Sequence, residues 1–117
     1  MTKIMLVDDD PITKTLLKTL LEMEGFNVYP WDLGTDVLEK VNSVEPDVVV
    51  MDVNLNGLNG IDVLRDLRAE QKYQDVRVIM SSGMNYQEEC NREGANGFLL
   101  KPYMPDDLIS LIRKNLS

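Results

Sequence analysis

The chain has 117 residues, enough for one domain of common size with a layered core and too few for a second catalytic domain. Twenty acidic against twelve basic residues leave a net charge of -8, which disfavours a phosphate backbone as partner, so no nucleic-acid surface is expected. One cysteine and no histidine exclude an internal disulfide and a zinc-type cluster.

In chain order, Ile4 to Val7 is the first apolar run, and it ends in Asp8-Asp9-Asp10. Asp10 stands where a cap would, ahead of a helix that Pro11 is suited to start. Ile12, Leu16, Leu17, Leu20, Leu21 and Met23 recur there at helical spacing, and Gly25 marks a stop. Phe26 to Tyr29 reads as a short strand ended by Pro30, and Asp36 to Val44 as a helix with Val37, Leu38 and Val41 on one face. The stretch from Asp47 to Asn54 carries four consecutive apolar residues, three of them β-branched, without polar alternation. Such a run predicts a strand buried on both faces, and Asp52 ends it. A loop rich in Asn and Gly leads to Gly60, where a helix to Ala69 carries Ile61, Leu64 and Leu67 inward. Val76 to Met80 is a further strand, ending in Ser81-Ser82-Gly83. Gln87 to Glu93 forms a short polar helix closed by Gly94, and Gly97 to Leu100 a last strand ending in Lys101-Pro102. Pro105 opens a final helix with Leu108, Ile109, Leu111, Ile112 and Leu116 on its apolar side. Cys90 reads as an ordinary helix residue and the seven methionines as core filling. No apolar run approaches the length of a membrane span or a signal-peptide core, so a cytoplasmic domain without membrane contact is expected.

Five strands alternating with five helices predict a parallel sheet covered by helices on both faces, with right-handed crossovers. All strand ends of such a sheet face one way. Asp8, Asp9, Asp52, Ser82 and Lys101 therefore converge on one edge, where open α/β sheets bind ligands. Close carboxylates repel one another at a cost of about several kcal/mol unless a cation or a proton relieves them. Mg²⁺ fits, because it takes oxygen ligands and joins one or two carboxylates to a phosphate. A carboxylate can also attack a phosphoryl group to form an aspartyl phosphate, with Lys101 and the Ser82 hydroxyl neutralising the equatorial oxygens.

Taken together, Asp8-Asp9, Asp52, Ser82 and Lys101-Pro102 resemble the receiver domain of two-component response regulators, over essentially residues 1–117 as a single domain. The resemblance implies a flavodoxin-like, doubly wound five-stranded sheet of order 2-1-3-4-5 with five helices. It implies Asp52 as phosphoacceptor, with Mg²⁺ held by Asp8, Asp9, Asp52 and the backbone carbonyl of Asn54. Lys101 would contact the phosphoryl group, Ser82 would be the switching hydroxyl and Phe98 the aromatic switch. The Lys101-Pro102 bond is expected to be cis. The implied partners are a sensor histidine kinase or phosphotransfer protein and a downstream protein target or output domain. Such a domain catalyses only its own phosphorylation and dephosphorylation. With no output segment after Ser117, the chain is expected to be either a stand-alone receiver or a fragment of a longer regulator.

The sequence departs from the family pattern at Asn56, where Pro is usual and whose replacement predicts a less rigid loop. Ser82 stands in place of the commoner Thr, and Gly83 in place of Ala. Phe98 lacks a hydroxyl, so it must work through packing, and Tyr103 offers a polar surface role nearby. Two other classes compete. A phosphatase of the haloacid-dehalogenase type would use Asp8 as nucleophile and Asp10 as acid/base, with Ser82 and Lys101 in support, but leaves Asp52 unexplained. A receiver-like binding module without phosphorylation would have no use for the complete set of groups.

Overall fold

The computed structural model describes all of residues 1–117. The elements are β1 (Lys3–Val7), α1 (Pro11–Met23), β2 (Asn27–Pro30), α2 (Val37–Val44), β3 (Val48–Asp52), β4 (Asn54–Leu55), β5 (Leu58–Asn59), α3 (Gly60–Ala69), a 3-10 turn (Gln71–Tyr73), β6 (Arg77–Ser82), α4 (Gln87–Arg92), β7 (Gly97–Leu100) and α5 (Pro105–Leu116). Five strands pair in parallel in the order β2-β1-β3-β6-β7. With the β4-β5 hairpin set aside, this is the 2-1-3-4-5 order that the sequence predicts.

Strand alternation sends successive side chains to opposite faces. On one face Met5, Val7, Val49, Met51, Val78 and Met80 pack against Val37 and Val41 of α2, Ile61, Leu64 and Leu67 of α3, and Cys90 of α4. On the other, Ile4, Leu6, Val48, Val50 and Ile79 pack against Leu17 and Leu21 of α1 and Leu108 and Ile112 of α5. β1, β3 and β6 are therefore apolar at consecutive positions because both their faces are covered. Burial pushes the Cys90 thiol up to about 11, so it stays protonated and serves as a small apolar core residue.

Four expectations need correction. In α1 only Leu17 and Leu21 are buried, whereas Ile12 (79 %), Leu16 (53 %) and Met23 (76 %) face outward, since the sheet covers a narrower stripe than the apolar pattern spans. Of the seven methionines, Met5, Met51 and Met80 fill the core, while Met1, Met23, Met84 and Met104 are exposed on the chain end, helix end and loops where no layer covers them. The stretch after Asp52 is a hairpin and not a plain loop: Asn54 pairs with Asn59 and Leu55 with Leu58 around an Asn56-Gly57 turn, with Gly57 at φ 79°. Only the second central residue of this turn takes a positive φ, and glycine adopts it without steric cost. β6 runs on through Ser82, one step past Ser81, which lies opposite Asp52.

Candidate functional site

β1 delivers Asp8 to the carboxyl edge of the sheet, and β3 delivers Asp52 beside it. Both are buried, at 7 % and 8 % exposure, and Asp9 is half-buried next to them. One carboxylate oxygen from each of the three lies within 4.8 Å of the others. The turn fixes Asp8, whose Oδ1 accepts the Asp10 N–H at 2.9 Å. Asp10 itself caps α1, accepting from the Ile12 N–H at 3.1 Å and the Thr13 hydroxyl at 2.7 Å, which hold its carboxyl below the usual range. Its side chain is spent on the helix end, as the sequence predicts.

β7 ends at Leu100, and the Lys101 N–H carries the ladder one step further by donating to the Ser82 carbonyl at 2.8 Å. The Lys101 ammonium reaches back to Asp52 Oδ2 at 2.9 Å and Asp8 Oδ2 at 3.5 Å. The Lys101-Pro102 bond is cis, as expected. Burial pulls the Lys101 pKa down, but the hydrogen bond it donates to Asp52 and the charges of Asp8 and Asp52 outweigh it, leaving the group above its ordinary value. Asp8 moves the other way from a salt-bridged carboxylate. Its pKa lies above 3.8 because burial dominates, with Asp52 and Asp9 adding repulsion that the Asp10 N–H and the Lys101 charge do not offset. One lysine does not neutralise three carboxylates, and the site keeps a surplus of negative charge suited to an oxygen-seeking cation.

Two residues behind Asp52 complete the site. The Asn54 N–H donates to Asp52 Oδ1 at 3.2 Å, and the Asn54 carboxamide donates to Ser82 Oγ at 3.1 Å. Gly60 passes directly behind: a Cβ there would fall 2.2 Å from the Asp52 carbonyl oxygen, so only glycine admits this approach. Sequence reasoning places Gly60 only as the start of a helix, because the close contact joins two segments that the sequence does not show touching.

The two serines separate by strand alternation. Ser81 lines a small void of about 10 Å³ together with Asp8, Asp52, Lys14 and Tyr103. Ser82 is fully buried, accepts from Asn54 and from the Met84 N–H at 3.1 Å, and is thereby joined to the hairpin. Phe98 lies outside this cluster. It sits opposite Met80 and is partly buried against the α2-α3-α4 side of the core. Asp8, Asp9, Asp52 and Lys101 are thus in direct proximity, Ser82 is reached through Asn54, and Phe98 is one strand further away.

The model of the response regulator receiver domain matches residues 4–113. The chain is 32% identical over 111 residues to the cell cycle transcriptional regulator CtrA of Caulobacter vibrioides, covering 94% of this chain and 48% of that protein. It is 33% identical over 114 residues to the DNA-binding response regulator MtrA of Mycolicibacterium smegmatis, covering 97% of this chain and 50% of that protein. It therefore spans about half the length of the curated relatives it matches. A response regulator signal receiver domain from Bermanella marisrubri superposes with a TM-score of 0.91 at 26% identity, over 100% of both chains.

Proposed function

This chain belongs to the response regulator receiver domain family, and from that premise we propose that residues 1–117 form one receiver domain that accepts a phosphoryl group on Asp52. The observation that carries the reading is Asp52 held by Lys101 beside the Asp8-Asp9 pair at the carboxyl edge of the sheet. Receiver domains are signalling modules rather than enzymes that turn over a separate substrate, and here the chain would catalyse only its own modification. The phosphodonor is a phosphohistidine of a sensor kinase or phosphotransfer protein. A carboxylate oxygen of Asp52 forms the new O–P bond as the P–N bond breaks, and the electron pair leaves with the imidazole nitrogen. Asp52 attacks as the carboxylate, so no proton has to be removed from it. Lys101, kept as an ammonium by its two acidic neighbours, steadies the carboxylate beforehand and pairs with the phosphoryl oxygens afterwards.

The donor set fits Mg²⁺, since three carboxylates within reach of one another offer hard oxygen ligands and no nitrogen or sulfur. Asp8, Asp9, Asp52 and the Asn54 carbonyl would hold it. When bound, the ion would neutralise charge on the phosphoryl oxygens. Ser82 and Phe98 are the proposed switch, acting on a downstream protein or output domain, and a cytoplasmic location is part of the same reading. No helix is long and apolar enough to cross a membrane. The phosphatase alternative is not favoured, because the acid/base it needs, Asp10, is engaged as a helix cap. A module without phosphorylation has no role for the Lys101-Asp52 pair.

Incubation with Mg²⁺ and acetyl phosphate, followed by intact mass, tests the reading. The native domain is expected to gain one phosphoryl group and Asp52→Asn none. Equal labelling of the two would overturn it.

A further inference from the structure

The Ser82 hydroxyl is unusual in what it has already committed. A serine hydroxyl offers one donor and two acceptor lone pairs. In this structure Oγ accepts from the Asn54 carboxamide and from the Met84 N–H, both at 3.1 Å, and the residue is fully buried. Both lone pairs are occupied, and the O–H donor is what is left.

Asn54 has no packing reason to carry a carboxamide. It is exposed, at the first position of the β4-β5 hairpin, and the bond to Ser82 is its one side-chain hydrogen bond. Through its backbone N–H the same residue donates to Asp52 Oδ1. One residue thus touches the proposed phosphoacceptor with its main chain and the proposed switch hydroxyl with its side chain. The paired hairpin holds it in place.

We propose that Asn54 is a positioning residue for the switch: its carboxamide, with the Met84 N–H, fills both lone pairs of Ser82 and leaves the hydroxyl able to act only as a donor. Phosphorylation of Asp52 supplies anionic oxygens that only a donor can satisfy. A free hydroxyl would lose rotational freedom on meeting them, and one that is already bound on its acceptor side loses less. The inference rests on the receiver reading above and adds to it a role for the Asn54 side chain.

Substitution by aspartate inverts the chemistry at nearly constant shape, since a carboxylate accepts and does not donate. In Asn54→Asp the Ser82 proton is expected to be captured by the new carboxylate and withheld from Asp52. Asn54→Ala only frees one lone pair. The readout is amide NMR with beryllofluoride as phosphoryl mimic, each spectrum normalised to the loaded fraction from the bound ¹⁹F signal. Native protein is expected to show shifts at Tyr86 and Phe98, Ser82→Ala to lose them, Asn54→Asp to lose them to the same extent and Asn54→Ala to lose them only in part. Equal losses in the two Asn54 variants, the result of a merely structural contact, would overturn the positioning role. Undiminished shifts in both would do the same while leaving the receiver reading intact. A native protein that binds no beryllofluoride would overturn that reading and the inference with it.

Discussion

Two corners of this molecule are built from charged side chains and use them in opposite ways. At the carboxyl edge of the sheet, Asp8, Asp9 and Asp52 crowd together, with Lys101 paired to Asp8 and Asp52. Where α3 meets α4 and β7, each side-chain nitrogen of one arginine finds an acceptor. Arg68 donates through Nε to the Gly94 carbonyl at 3.0 Å and through one terminal nitrogen to the Tyr73 and Gln74 carbonyls at 2.8 and 3.3 Å. Its other terminal nitrogen donates to Asn96 Oδ1 at 2.9 Å. Asn96 Oδ1 also accepts the Val78 N–H, so the arginine ties the end of α3, the 3-10 turn and the α4-β7 loop to the start of β6. Burial lowers the Arg68 pKa, yet its planar fork meets neutral carbonyls at good geometry. The difference separates a charge that completes the fold from charges whose mutual repulsion the fold has to carry.

The largest effect should come from the satisfied corner. Arg68→Ala takes the donor from the Gly94 and Gln74 carbonyls and leaves the Tyr73 carbonyl and Asn96 Oδ1 with one donor each, the Val76 and Val78 N–H groups, and should lower stability by about 2 kcal/mol, the scale of losing charge-assisted bonds in a partly buried place. Arg68→Lys should restore little, because one ammonium cannot span acceptors spread around a fork. Urea midpoints of the three proteins check this, and a native-like midpoint for Arg68→Ala would place the corner's strength elsewhere.

At the acidic edge the sign reverses. The folded-state pKa of Asp8 lies above 3.8, so in the window from 3.8 up to that raised value the folded protein binds more protons than the unfolded chain. Falling pH therefore adds stability through this group, and the cost of its charge is present in full above the raised value. Asp8→Asn removes that charge while keeping an oxygen for the Asp10 N–H. In metal-free buffer at neutral pH it should stabilise the fold by about 1 kcal/mol, the scale of one short like-charge contact in a partly wet site. Thermal unfolding should show that gain shrinking as pH falls toward 3.8. Millimolar Mg²⁺ should raise the melting temperature of the native domain more than that of the variant. A variant less stable than native in chelator would mean that the Lys101 attraction outweighs burial and repulsion.

The two corners are unequally legible in the sequence. The acidic edge can be read because each member stands at the end of an apolar run, and parallel strands bring such ends together without any knowledge of packing. The faces of β1, β3 and β6 follow from the same runs. Arg68 carries no such mark: its partners are mostly main-chain carbonyls, which every residue has, and the partners lie 5 to 28 positions away. Trp31, buried and donating its indole N–H to the Thr35 carbonyl, gives no periodic signal in a loop. The outward turn of Ile12 and Leu16 depends on how much of α1 the sheet covers, a property of the assembled layers. The hairpin is a different matter, since Asn56-Gly57 is a local turn signal that two adjacent residues carry by themselves.

The smallest effect belongs to Arg65, one turn before Arg68 on α3, and it isolates what makes the satisfied corner strong. Its Nε meets Glu93 Oε2 and its terminal nitrogen meets Asp62 Oδ1, both at 2.9 Å, so by distance its bonds fall within the range of Arg68's. Both acceptors are charged where those of Arg68 are neutral, and together they raise the Arg65 pKa. On Coulombic grounds alone Arg65 would count for more. Its side chain, however, is 57% exposed, so water screens the pairs and solvates whichever partner is left behind after substitution. Arg65→Ala should leave the urea midpoint close to native, and the small remaining difference should vanish as salt is raised. A loss comparable to that of Arg68→Ala, unchanged by salt, would show that geometry rather than shielding from water governs this corner, and would remove the ground for setting it against the acidic edge.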